Sequence, residues 1–217
     1  MNLEELNRVV QLGEGLTLEF KTRVPKPERI AKEVIAFANT IGGRLLLGVE
    51  DDGTIKGVRD SDEEEYALKE ALNSYCTPPV RYAIERVPVS KKRNVLFVSV
   101  FESSEKPHVL IDPDDPAINT AYVRINDMSV EASKEHVRLM KTGKNSNDVK
   151  FEFGDKEHKL MRYLEDYGRI TVPQFANLVN IPKRKASHTL VLLAKANVLQ
   201  LHADPRHDYF TLAYNEA

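Results

Sequence analysis

Sulfur chemistry is almost missing from this chain: its 217 residues include one cysteine, Cys76. A lone cysteine excludes an internal disulfide and fits a reducing cytoplasm. No Cys/His spacing matches a zinc site. His202 and His207 flank "ADPR", which reads as the tip of an exposed hairpin. Long apolar runs are also missing, since none approaches the roughly 20 residues needed to span a bilayer. "MNLEELNRVV" begins as a short amphipathic helix without signal-peptide architecture, so a cytoplasmic protein with no membrane partner is expected. Charge of one sign is not in surplus either. There are 31 Lys+Arg against 33 Asp+Glu, a net of −2, so any nucleic-acid surface must be a local patch. No G-x-x-x-x-G-K-[ST] pattern occurs, which leaves nucleotide hydrolysis without its phosphate loop.

What is present is a globular composition, 41% hydrophobic and 29% charged, too apolar for a disordered chain. "KTGKNSNDVK", residues 141–150, is polar and without periodicity, and reads as a linker. It separates a first domain, 1–140, from a second, 151–217. Residues 1–150 carry 22 Lys+Arg against 25 Asp+Glu, and residues 151–217 carry 9 against 8, so only the smaller domain leans basic.

The first domain mixes strands and helices. "LTLEFKTR" alternates Leu16, Leu18 and Phe20 with Thr17, Glu19 and Lys21, which predicts a strand with Glu19 on its polar face. Pro27 opens a helix whose apolar stripe is Ile30, Val34, Phe37, Ala38 and Ile41. Gly42-Gly43 caps it, because glycines that cradle phosphate precede a helix and these follow one. "RLLLGV" is then a strand buried on both faces, and "EDDGTIKGV" a tight turn into a return strand. A second helix, "SDEEEYALKEALNSYC", is capped by Ser61 or Asp62. "RYAIERVPV", "NVLFVSVFES" and "AYVRIN" are further strands. The expectation is an α+β domain on one mixed sheet. In the second domain the order helix, helix, helix, β-hairpin is that of a winged helix-turn-helix.

Two sets of residues could carry chemistry. On the third helix of the second domain Arg184, His188 and Lys195 share one narrow stripe, with Ser187 beside it and Lys183 and Lys185 flanking, while Ala186, Leu190 and Leu193 face the core. Such a stripe offers donors to phosphates and guanine edges; a face for protein contacts is the alternative. In the first domain Glu14, Glu19 and the acids Glu50 to Asp52 could converge if their strands are neighbours. An all-oxygen cluster suits Mg²⁺ or Mn²⁺, which can activate water against a phosphodiester. The competing reading is a plain Asp-Asp-Gly turn, with Glu19 paired to Lys21 or an arginine.

"GEGLTLEFK", "KEVIAFANTIGGRLLLGVEDDGTIKGV", "KPHVLI" and "AYVRINDMSVEAS" together resemble the Schlafen AlbA-like domain, a DNA-binding domain of bacterial regulators and Schlafen proteins, also labelled a divergent AAA domain. The resemblance covers roughly residues 10–135. It implies nucleic-acid binding and a role in transcriptional regulation, with a C-terminal winged helix as in many members. The ATP-binding label finds no Walker motif here. Schlafen endoribonucleases use three acids of this domain, which fall by motif position on Glu14, Glu19 and Asp51. Those nucleases pair two such units in one chain, so this single unit implies a homodimer. Three functions stand open: a DNA-binding, or RNA-binding, regulator needing no cofactor, a Mg²⁺- or Mn²⁺-dependent nuclease, and a protein-interaction module in which the winged helix only dimerises.

Overall fold

The computed structural model describes residues 1–115, 119–141 and 154–213. The chain divides into two compact units, Met1–Glu131 and Ala132–Ala217. Of the expected linker, 141–150, all but Lys141 lies outside the described residues.

In chain order the first unit runs α1 (Leu3–Val10), β1 (Leu18–Lys21), α2 (Pro27–Asn39), β2 (Gly43–Leu47), α3 (Ser61–Tyr75), β3 (Cys76–Thr77), β4 (Tyr82–Ser90), β5 (Arg93–Val100), β6 (Val109–Ile111), β7 (Asn119–Ile125) and β8 (Met128–Glu131). One sheet has the order β1-β2-β5-β4, with β1 parallel to β2 and the other pairings antiparallel. α2 is the crossover that a parallel pair requires. Leu18, Phe20 and Leu46 pack with Leu6 and Val10 of α1, and Leu45 and Leu47 pack in a second cluster with Ile30, Val34 and Phe37 of α2. Alternate residues of β2 therefore enter two different cores, which is why "LLL" is apolar without a break. Fully burying one such leucine contributes about 1.5–3 kcal/mol.

The expectation of one mixed sheet is corrected: the unit has a second four-stranded sheet, β3-β6-β7-β8, separate from the first. β3 and β6 are two and three residues long, too short to show a period. Cys76 is buried in β3, and burial pushes its thiol up to about 12.

Local chemistry explains the junctions. α1 starts in a capping box, with Asn2 Oδ1 accepting from the Glu5 amide and Glu5 Oε2 from the Asn2 amide, both at 2.9 Å. α2 ends at Asn39 with Thr40 as its C-cap, and Ile41, expected on its stripe, lies beyond the helix and is 55% exposed. Gly42 has φ +78° and returns its N–H to the Phe37 carbonyl at 2.9 Å. A Cβ there would stand 2.7 Å from the Val100 carbonyl oxygen, and one on Gly43 would stand 2.2 Å from the Phe37 ring. The glycine pair thus both stops the helix and lets the chain pass close under β5. The Glu50–Gly53 turn closes through the Gly53 N–H to the Glu50 carbonyl at 2.8 Å. The expected return strand is a single bridge, Val49 to Ile55. Asp60, rather than Ser61 or Asp62, caps α3, accepting from the amides of Asp62 and Glu63 at 3.1 and 3.0 Å.

The second unit holds α4 (Lys134–Lys141), α5 (Asp155–Tyr167), α6 (Val172–Leu178), α7 (Lys183–Lys195), β9 (Leu199–His202) and β10 (Tyr209–Leu212). Its core is built by Leu160, Leu164, Phe175, Leu190, Leu193 and Phe210. Gly168, left-handed at φ +75°, ends α5. Ile170 then bridges to Phe210 through bonds of 2.9 and 2.8 Å, extending the antiparallel β9–β10 hairpin. Thr171 and Gln174 form the capping box of α6. Among the described residues no helix is long and apolar enough to cross a membrane.

Candidate functional site

Glu19 lies on the polar face of β1, but that face is not open to solvent. The residue is 6% exposed, because the side of β1 opposite Leu18 and Phe20 is covered by Glu33 and Phe37 of α2 and by Arg124 of β7. Arg124, itself 3% exposed, organises the cluster. Its Nη1 donates to Glu33 Oε2 at 2.8 Å and to Ser129 Oγ at 3.2 Å, and its Nη2 donates to the Gly15 carbonyl at 2.7 Å. Its guanidinium lies 4.6 Å from the Phe37 ring centre. Ser129 Oγ in turn donates to Glu33.

Glu19 Oε1 accepts from Lys21 Nζ, whereas Oε2 stands 3.0 Å from Arg124 Nη1 without accepting a hydrogen bond. That second contact is coulombic only, since Nη1 directs its hydrogens at Glu33 and Ser129. Two carboxylates thus meet two cations. Burial pushes the Glu19 carboxyl above its ordinary range, and the hydrogen bond from Lys21 opposes this.

The other two acids have surroundings of their own. Glu14 Oε1 accepts from the Phe20 amide at 2.8 Å and so ties the preceding loop to β1. Asp51 is exposed on the turn. Its neighbour Asp52 accepts from the Thr54 amide at 2.8 Å, which holds the Asp52 carboxyl below its usual range. Among the described residues no group of three His, Cys, Asp or Glu side chains could hold a metal ion, and Glu14, Glu19 and Asp51 form no such group. Lys21 and Arg124 supply the positive charge that a cation would otherwise bring to Glu19.

The basic residues of α7 divide by surroundings. Lys183, Arg184, Lys185 and His188 are exposed, while Ala186, Leu190 and Leu193 are buried on the core side. Lys195 is half-buried. Ser187, grouped with them by sequence, is 4% exposed and faces α4: Arg138 Nη1 donates to its Oγ at 2.8 Å, and its hydroxyl donates to Glu135. α4 is also fastened to the hairpin, where His136 Nδ1 stands 2.7 Å from Asp208 Oδ2. Burial acts to raise the Asp208 carboxyl, but hydrogen bonds from His136 and Ser133 outweigh it and hold the group below its ordinary range.

Sequence reasoning missed a polar knot where three of its quoted motifs meet. Asn39 of "AFANT" donates through Nδ2 to the carbonyls of His108 and Tyr122 at 2.8 and 2.9 Å. His108 of "KPHVLI" donates its amide to Asn39 Oδ1 at 2.8 Å and presents Nδ1 to the Pro78 carbonyl at 2.8 Å. Thr40 Oγ1 accepts from the Arg124 amide of "AYVRIN" at 2.9 Å. One polar residue inside each apolar run was the available signal, because a buried polar group needs a partner.

Comparison with known proteins adds the following. The DIP2311 protein of Corynebacterium diphtheriae is similar in structure at 22% identity and TM-score 0.39, over 55% of this chain and 25% of that one. This chain thus spans about a quarter of that protein. The N-terminal domain of a RecG-related protein from Nitrosomonas europaea is similar at 26% identity and TM-score 0.41, over 61% of this chain and 94% of that one. Residues 14–133, more than half of the chain, match the family described as Schlafen, AlbA_2. Those residues hold the buried Glu19–Arg124 cluster and the Asn39–His108 knot, and by that match the chain belongs to the Schlafen AlbA_2 family.

Proposed function

We propose that this chain is a nucleic-acid-binding protein, a cytoplasmic bacterial transcriptional regulator whose second unit is a winged helix that docks duplex DNA through α7. The observation that carries the reading is the exposed basic surface of that helix. Lys183, Arg184, Lys185 and His188 point to solvent, and their side chains make no ion pair or hydrogen bond among the described residues. A helix fits the major groove, arginine can read guanine bidentately, and lysines displace counterions from phosphate. A face for protein contacts would instead offer an apolar patch. The order of elements in the second unit and membership of the AlbA_2 family support the same reading. The reading includes a homodimer, whose palindromic target would mirror its two-fold axis.

The test is fluorescence anisotropy of the purified chain with duplex DNA, and with RNA, over a salt series. Affinity that is salt-dependent and weakened by R184A supports the reading; affinity and salt slope unchanged in R184A and K183A sink it. Sedimentation showing only monomer, with and without DNA, removes the homodimer. The nuclease alternative, with Mg²⁺ or Mn²⁺ on Glu14, Glu19 and Asp51, gains no supporting geometry among the described residues. Cleavage in the presence of Mn²⁺ that is lost in E19Q would restore it.

A further inference from the structure

A cavity of about 420 Å³ opens in the second unit between the α5–α6 turn and the tip of the β9–β10 hairpin. Its walls include Arg169, Thr171, Gln174, Arg206, His207 and Tyr209. We infer that it is a binding site for a small phosphorylated ligand of about nucleoside-monophosphate size.

The charge of the walls is the first reason. The side chains of Arg169, Arg206 and His207 form no ion pair with any described carboxylate. The one acid in the wall, Asp204, is turned into its own loop, where Oδ1 accepts from the amides of Arg206 and His207 at 2.9 and 3.3 Å. Those amides hold its carboxyl below the usual range, so a single carboxylate stands against two arginines and the wall keeps a net positive charge. Asp204 fixes the loop from which Arg206 and His207 line the cavity, and among the described residues it makes no salt bridge to either arginine.

Geometry is the second reason. Arg169 stands 5.5 Å over the Tyr209 ring, and His202 stacks on that ring at 5.0 Å. An arginine held against an aromatic ring loses less freedom when it grips an anion. The Thr171 amide and hydroxyl and the Gln174 Oε1 satisfy one another, which leaves the Gln174 Nε2 hydrogens without a partner among the described residues. Two guanidinium forks, an amide donor and an imidazole around one space suit a phosphate monoester, which arginine binds bidentately. The volume lies at the small end of the range for small-molecule sites, about 300–1,000 Å³. It exceeds what inorganic phosphate would fill, which leaves room for an organic group.

This inference does not rest on the DNA reading, and its test is run first without nucleic acid. The full chain is titrated calorimetrically with adenosine 5′-monophosphate, adenosine and inorganic phosphate. The expected result is saturable binding of the monophosphate, weaker binding of phosphate, and none of adenosine. R206A and R169A each weaken monophosphate binding about tenfold or more, the cost of one charge-assisted hydrogen bond, whereas R162A on α5 leaves it unchanged. Absence of saturable binding overturns the inference, as does equal binding of adenosine, or binding indifferent to both arginines. A second arm measures duplex DNA. If R206A and R169A weaken DNA binding while the wild type ignores the monophosphate, the arginines serve a nucleic-acid backbone and the small-ligand site is refuted.

Discussion

Asn39 and His108 are joined by a reciprocal pair of hydrogen bonds, each 2.8 Å, in which a side-chain amide takes the place of a strand neighbour. Asn39 sits at the end of α2 and His108 immediately before β6, so the pair fixes the helix to the second sheet. A third bond, to the Tyr122 carbonyl, extends the hold to β7.

Asn39→Ala strands a buried N–H and two carbonyls, and each stranded group costs about 1–3 kcal/mol. Urea denaturation should show a loss of about 3 kcal/mol or more, unless water replaces the amide. A loss below about 1 kcal/mol would mean the knot contributes little.

Arg124→Ala removes the cation that Glu19 and Glu33 share. Breaking a buried ion pair from one side costs about 3–5 kcal/mol, because the remaining charge is uncompensated. The companion variant E33Q leaves one carboxylate facing the arginine and should cost less. A loss for R124A no larger than that for E33Q, both measured at neutral pH, would contradict the central role given to Arg124.

Glu19 makes a prediction in pH. Its folded-state pKa is raised by burial, so its favourable contribution is present below the ordinary glutamate range, about 4.3, and is lost as pH rises through the higher folded value. Glutamine in its place is neutral throughout. The stability of E19Q relative to wild type should therefore increase from about pH 4 to about pH 7. A relative stability that is flat or falling over that interval shows that the two cations outweigh the burial.

Ser187 and Arg184 should separate cleanly. Arg184→Ala should lower the salt slope of DNA binding by about one, the value of a single phosphate contact, with little effect on folding. Ser187→Ala should leave affinity and slope intact while costing about 1 kcal/mol in stability, since it loses the bonds to Arg138 and Glu135. A Ser187→Ala effect on the salt slope itself would place that residue on the DNA after all.

Most of this architecture was legible wherever one element repeats its own period. α2, the β4–β5 hairpin and the three helices α5 to α7 carry enough residues to declare a face. The second sheet was not legible, because Cys76–Thr77 and Val109–Ile111 become strands only through their partners. Glu19 shows the same limit. Alternation sets it opposite Phe20, but only the fold brings α2 and Arg124 over it. Ser187 lies near the basic stripe on a helical wheel, and no wheel contains α4. The three acids were legible as residue types, whereas their placement, one capping an amide, one in a charge cluster and one in solvent, belongs to tertiary structure.

Cys76 gives the fold a built-in reporter. As the sole thiol of the chain, buried in β3 and with ionisation pushed up to about 12, it is closed to alkylating reagents while the second sheet is intact, because the thiolate is the reacting form. A maleimide pulse therefore reads the opening of that sheet in the unmodified protein, with no engineered probe. A cysteine placed on α7 or at the hairpin tip would in turn be the preferred target for a dye, since the native one stays silent while the second sheet is closed.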